Sequence, residues 1–127
     1  MLVSREEILI VDDHPQNLKL VRIVLSAAGF IVRTASDAEE ALDALASFSP
    51  RLILMDLQLP GLDGLALTRR LKSDAAHRHV LVVALTAHAM PGDEEKARQA
   101  GCDGYLTKPV DIQTLAASVA AFLARAV

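Results

Sequence analysis

Short, wholly apolar runs alternate along this chain with longer stretches in which apolar residues recur every three or four positions. Ile8-Leu9-Ile10-Val11, Arg51-Leu52-Ile53-Leu54-Met55-Asp56 and Val80-Leu81-Val82-Val83-Ala84-Leu85 carry almost no polar alternation. That suits parallel strands buried on both faces. Phe30-Ile31-Val32-Arg33-Thr34 and Tyr105-Leu106-Thr107 are shorter candidates. After Pro15, the positions Leu18, Val21, Val24, Leu25 and Ala28 have helical spacing, and Gly29 sits where a helix-ending glycine belongs. Asp37 can cap a second helix with Glu40 as its N3 residue, a capping-box variant, over a stripe of Ala38, Ala41, Leu42 and Leu45.

A third helix is expected over Gly64–Lys72, with Leu67 and Leu71 inward and Arg69, Arg70 and Lys72 toward solvent. The fourth, about Pro91–Ala100, has only alanine on its apolar side, so it is expected to be the least firmly held. A fifth runs from Asp111 with Ile112, Leu115, Val119 and Phe122 in helical register. Five strands alternating with five helices predict an α/β fold, a parallel sheet covered on both faces. Right-handed crossovers leave few topologies for it.

Composition narrows the class. The chain has 127 residues, 52% of them hydrophobic, which fits one compact domain with a sizeable core, with no room for a second. A net charge of -3 provides no basic footprint for a phosphate backbone, so direct nucleic-acid binding is not expected. One cysteine, Cys102, excludes a disulfide within the chain and is compatible with a reducing compartment. No apolar run approaches the roughly 20 residues of a membrane span, and Met1–Glu7 is too short and polar for a signal peptide. No membrane insertion and a cytoplasmic location are expected.

The chemistry collects at strand ends. Asp12-Asp13, Asp56, Thr86 and Lys108 each follow an apolar run, and open α/β sheets bind ligands beyond the carboxyl ends of their strands. Three carboxylates held together raise one another's pKa unless a cation intervenes. A hard, oxygen-seeking divalent ion, Mg²⁺ by preference, would resolve this and keep waters for an incoming phosphate. Asp56 is then a plausible nucleophile toward phosphorus. Lys108 would supply charge to the phosphoryl oxygens and the Thr86 hydroxyl a hydrogen bond.

At this point the chain resembles the receiver domains of two-component response regulators. The likeness runs from about Ile8 to Leu123 and is carried by Ile8-Leu9-Ile10-Val11-Asp12-Asp13, Leu54-Met55-Asp56, Pro60-Gly61-Leu62-Asp63-Gly64, Ala84-Leu85-Thr86-Ala87 and Lys108-Pro109. Five such motifs in order are a specific signal. The resemblance implies a flavodoxin-like, doubly wound sheet of order 2-1-3-4-5 and a single domain over residues 1–127, its core about 8–123.

It also implies that Asp56 takes a phosphoryl group from a histidine kinase or histidine phosphotransfer protein. Asp13, Asp56 and the backbone carbonyl of Gln58 would bind Mg²⁺, with Asp12 acting mainly through water. Lys108 would contact the phosphoryl group, as would the backbone N–H of Ala87, and the Lys108-Pro109 bond would be cis. Thr86 and Tyr105 match the family's switch pair, whose movement would remodel the fourth helix, fifth strand and fifth helix for a downstream protein partner. Such a domain supports its own phosphorylation and dephosphorylation without being a turnover enzyme. Gln58 and His88 lie where side chains of this family tune phosphate lifetime. Leu54–Pro60 and Thr86–Glu95 look most like the free-standing cell-division receivers, although similar stretches occur in receivers attached to hybrid kinases.

Plainer readings stand beside these. Asp12-Asp13 alone would be a solvated pair, Thr86 an ordinary strand end, Tyr105 a packing residue and Cys102 likewise. His77, His79 and His88 are expected at the surface. His14 adjoins the acidic pair and could border the site, but a solvated loop role is the expectation. Two other functions remain alternatives: a phosphate-independent binding module, and an aspartyl-phosphate turnover phosphatase. Asp12-Asp13-His14 lacks the spacing of the dehalogenase-type phosphatases.

Overall fold

The structure, a computed structural model, describes residues 6–59, 64–86, 91–108 and 110–125. Its elements are β1 (Glu7–Val11), α1 (Pro15–Ala27), β2 (Ile31–Ala35), α2 (Ala38–Leu45), β3 (Leu52–Asp56), α3 (Gly64–Ser73), β4 (Leu81–Thr86), α4 (Asp93–Ala100), β5 (Gly104–Thr107) and α5 (Leu115–Arg125). All four strand pairings are parallel. The order is β2-β1-β3-β4-β5, as expected.

The lack of alternation in the central strands has a direct cause. Leu9, Val11, Ile53, Met55 and Val82 pack on one face against Ala41 and Leu45 of α2 and Leu67 and Leu71 of α3. Ile8, Ile10, Leu52, Leu54, Val83 and Leu85 pack on the other against Val21 and Leu25 of α1 and Leu115, Val119 and Leu123 of α5. Each of the larger side chains removed from water stabilises the fold by roughly 1.5–3 kcal/mol.

Element ends differ from expectation by a residue or more, each for a local reason. β2 starts at Ile31 because Phe30 belongs to the cap of α1. Its N–H donates to Leu25 O while that of Gly29, at φ 101°, donates to Ser26 O. This is the Schellman arrangement. The α2 cap closes in a modified way: Asp37 accepts from the Glu40 N–H, but the Glu40 carboxylate reaches past Asp37 to the N–H and hydroxyl of Ser36.

α5 begins at Leu115, not Asp111. Asp111 instead folds a turn, its carboxylate accepting from the Gln113 N–H and its carbonyl from the Leu115 N–H. Ile112 is consequently exposed, and the buried stripe is Leu115, Val119 and Leu123. Phe122 rests on the flank of that stripe, against Gly104, where an added Cβ would lie 2.5 Å from the ring.

The clearest departure is Lys72. Instead of pointing to solvent, its ammonium donates to Val80 O at 2.7 Å and to Asp103 Oδ2 at 2.8 Å. Asp103 Oδ2 also accepts from the Val82 N–H. Lys72 therefore joins the end of α3, the start of β4 and the turn before β5.

Candidate functional site

The register of the sheet brings the acidic residues together. Val11 pairs with Met55, so the next residues along β1 and β3, Asp12 and Asp56, emerge side by side. Both are buried. Gly64 lets the start of α3 close against the end of β3: a Cβ there would lie 2.3 Å from Asp56 O, a collision with backbone that cannot yield.

Lys108 approaches from the edge. Its N–H donates to Thr86 O, which anchors the residue after β5 to the end of β4. From there its Nζ lies 2.9 Å from Asp12 Oδ2 and 3.3 Å from Asp56 Oδ2. Asp12 is the most heavily bonded carboxylate. Oδ1 accepts from the His14 N–H at 2.9 Å and lies 3.1 Å from His14 Nδ1, while Oδ2 accepts from the Asn17 amide. Burial pushes the Asp12 carboxyl up, but the hydrogen bonds from Lys108, His14 and Asn17 outweigh it and hold it below the usual range.

Asp56 differs. Burial raises it, and the Gln58 N–H and Lys108 only partly compensate against the neighbouring charge of Asp12, so its carboxyl stays above the usual range. Its Oδ1 accepts from the Gln58 N–H at 2.9 Å. Its Oδ2 is buried without a hydrogen bond, as is Asp13 Oδ1. For Lys108, burial works against the charge, but the two carboxylates prevail and raise its pKa.

One donor atom from each of Asp12, Asp13, His14 and Asp56 falls within 4.8 Å of the others. Two unbonded, buried carboxylate oxygens in a predominantly oxygen donor set are what a hard cation satisfies. These residues can therefore hold a metal ion.

The sequence-derived set is thus assembled for Asp12, Asp13, Asp56 and Lys108, which span most of the chain. Thr86 is buried at the end of β4, one strand from Asp56. Tyr105 pairs with Ala84, two residues before Thr86, so both side chains face the same side of the sheet. The Tyr105 hydroxyl oxygen is buried and has no hydrogen-bond partner among the described residues. Burial, aided by the charges of Asp93 and Glu94, pushes its pKa up. Gln58 offers its N–H to Asp56, and its side chain is exposed. Ala87, His88 and the Lys108-Pro109 bond lie outside the described residues.

One contributor, Asn17, has no counterpart in the sequence-derived set. Asn17 reaches Asp12 from the first turn of α1, and the only signal was Pro15, which fixes where that helix starts. His14 lies in a largely exposed position, yet its Nδ1 is 3.1 Å from both Asp12 Oδ1 and Asp13 Oδ1, so a loop residue also borders the acidic cluster. His77 instead pairs with Asp74, His79 is exposed, and Cys102 packs near Thr68, its thiol raised by burial.

A doubly wound sheet with an acidic pocket and a lysine beyond its strand ends is the architecture of a phosphorylation receiver. The chain belongs to the response regulator receiver domain family, whose profile matches residues 8–120. Among curated relatives it is 43% identical over 119 residues to the polar-differentiation response regulator DivK of Brucella ovis, covering 93% of this chain and 96% of that one. This agrees with the likeness to cell-division receivers. A putative response regulator from Chloroflexus aurantiacus superposes with a TM-score of 0.89 at 33% identity, over 96% of this chain and 100% of its own. A chemotaxis response regulator of Vibrio cholerae, 24% identical, shares the fold with a TM-score of 0.87 over 94% of this chain and 99% of its own. No helix among the described residues is long and apolar enough to cross a membrane.

Proposed function

We propose that residues 1–127 act as one receiver domain in which Asp56 is the phosphoryl acceptor. The observation that carries this is the Asp56 carboxylate, buried at the end of β3, with one oxygen free of hydrogen bonds and Lys108 3.3 Å away. The Asp56 oxygen bonds phosphorus as the bond from phosphorus to a donor imidazole nitrogen breaks, and the electron pair stays with that imidazole. The donor is a histidine kinase or histidine phosphotransfer protein. Asp13, Asp56 and the Gln58 carbonyl, with Asp12 through water, would hold Mg²⁺, which would supply the positive charge that three carboxylates and a phosphoryl group require.

Lys108, the Thr86 hydroxyl and the Ala87 N–H stabilise the phosphoryl oxygens. Movement of Thr86 toward them opens space that Tyr105 fills, and this changes the α4–β5–α5 surface seen by a protein partner. The new charge, nearly two negative units, shifts that equilibrium only through contacts that differ between the two states. A cytoplasmic location accompanies this reading, because a donor imidazole phosphorylated from ATP is found there.

The test is incubation with Mg²⁺ and acetyl phosphate, followed by intact-mass measurement. A single addition of about 80 Da is expected in the parent protein and none in Asp56→Asn; full labelling of that variant refutes the assignment. Sustained release of phosphate from esters over many turnovers would favour the phosphatase alternative. Unchanged partner affinity on phosphorylation would favour the binding module.

A further inference from the structure

His14 is the residue of the acidic pocket that the phosphorylation chemistry does not use, and its position is fixed from both sides. Its N–H donates to Asp12 Oδ1 and its carbonyl accepts from the Leu18 N–H, so the backbone is held between the end of β1 and the first turn of α1. Pro15 follows at the first helical position, which restricts His14 to the extended backbone it adopts, φ -99° and ψ 108°. The imidazole does not cap the helix. It turns instead toward the carboxylates, with Nδ1 3.1 Å from Asp12 Oδ1 and 3.1 Å from Asp13 Oδ1.

Two oxygens at equal distance from one ring nitrogen allow two occupancies. With a proton on Nδ1, the ring donates to the carboxylates. With the proton on Nε2, the Nδ1 lone pair lies 3.1 Å from two carboxylate oxygens, and only a cation among them makes that favourable. Adjacent ligands of a six-coordinate ion with bonds of about 2.1 Å are about 3 Å apart, so the spacing already present suits a shared ion. Asp13 Oδ1 lies next to Nδ1 yet forms no hydrogen bond, and Asp56 Oδ2, buried across the pocket, has only the Lys108 ammonium 3.3 Å away.

We propose that His14 Nδ1 is an additional ligand of this pocket, making it a mixed nitrogen and oxygen site that favours a first-row transition-metal dication over Mg²⁺. This rests on the reading of the acidic pocket as a divalent-cation site. The chemistry follows from donor type: carboxylates and carbonyls suit Mg²⁺, whereas an imidazole adds affinity for the later, softer ions. Mg²⁺ dehydrates reluctantly and gains little from a nitrogen donor. Mn²⁺, the hardest of the first-row dications and therefore the most demanding test of a nitrogen ligand, is the probe because it is visible by electron paramagnetic resonance.

Mn²⁺ binding is measured by loss of the hexaaquo signal and Mg²⁺ binding by displacement of Mn²⁺, in the parent, His14→Ala, His14→Asn and Asp13→Ala. Thermal melting checks that each is folded. In His14→Ala, Mn²⁺ affinity is expected to fall roughly tenfold or more, since losing even an outer-shell partner of a metal ligand costs about that much, while Mg²⁺ affinity changes by less than about threefold. Pulsed resonance of the Mn²⁺-loaded parent is expected to show nitrogen coupling that is absent from both His14 variants. Equal changes for the two metals, or no nitrogen coupling in the parent, overturn the role of His14. If Asp13→Ala binds both ions as tightly as the parent does, the acidic site itself is refuted.

Discussion

β3 and β5 are built to opposite standards within one sheet. Every residue of β3, Leu52–Asp56, is buried, and it lies between β1 and β4 with helices on both sides. β5 forms the edge, and none of its four residues is fully buried. The helix that precedes β5 differs in the same way: α4 buries only Ala97 and Ala100, whereas α3 buries Leu67 and Leu71 along with Gly64 and Thr68. The strand carrying the acceptor carboxylate is thus fixed by large side chains on both faces. The α4–β5 segment has one paired neighbour, β4, and beyond that ladder relies on the two buried alanines of α4, partly buried contacts such as Leu106 and Phe122 on Gly104, a Schellman cap at Gly101 and the Lys72–Asp103 contact. A switch needs both properties. A site that moved with its signal would lose its geometry, and an output surface packed like β3 would cost too much to rearrange.

The largest effect should follow from opening the firm side. Leu54→Ala removes a fully buried side chain next to the site and is expected to cost about 3 kcal/mol, seen as a lower midpoint in denaturant. Ala97→Gly, on the weak side, should cost about 1 kcal/mol. If Ala97→Gly proved the more damaging, the contrast between the two regions would be wrong.

A smaller effect should come from cutting the polar tie. Lys72→Met keeps the stem and removes the ammonium bonded to Val80 O and Asp103, for an expected loss of about 1–2 kcal/mol. Hydrogen exchange should quicken in β5 and the end of α4 while β1 and β3 stay protected. Uniform acceleration across the sheet would show that Lys72 serves global stability instead.

The smallest expected change is electrostatic, and its sign is decided within the pocket of the metal-free protein. The Asp12 carboxyl is lowered on folding, so its contribution is present above about pH 4, the unfolded value, and fades as pH falls through the folded value. The Asp56 carboxyl is raised, so its charge opposes folding at neutral pH and the penalty disappears as acid protonates it. Asp56→Asn should therefore raise the melting temperature at pH 7 by about 3 °C, within the range of a change of roughly 1 kcal/mol. The gain should vanish near pH 4. Equal melting of the two proteins at pH 7 without metal would remove Asp56 as a strained charge.

Much of this is legible in the sequence. The unbroken apolar runs at Ile8–Val11, Leu52–Met55 and Val80–Leu85 require strands covered on both faces, because only that environment tolerates no alternation. Carboxylates closing two of those runs then belong at one edge of the sheet. The thin apolar side of α4 was equally visible, since nothing larger than alanine was available to anchor it. The subsidiary partners were not. Lys72 carries the same charge as Arg69 and Arg70, and no pattern distinguishes the cation whose ammonium meets Asp103, 31 residues away, from its solvated neighbours. The stripe of α5 was misjudged at both ends because Asp111 makes a turn before the helix starts, which moves burial from Ile112 to Leu123.

By itself, the sequence determined the layers, the order of elements and the identity of the residues offered at the strand ends, because these follow from local periodicity and chain order. Tertiary structure alone decided which of those residues touch. The pairing of Val11 with Met55 sets Asp12 beside Asp56, Lys108 crosses from the edge to bind both, and the cap of α1 turns His14 toward the carboxylates. Contacts of a few ångströms between distant residues depend on register and helix placement, which are properties of the packed sheet and not of any single stretch of chain.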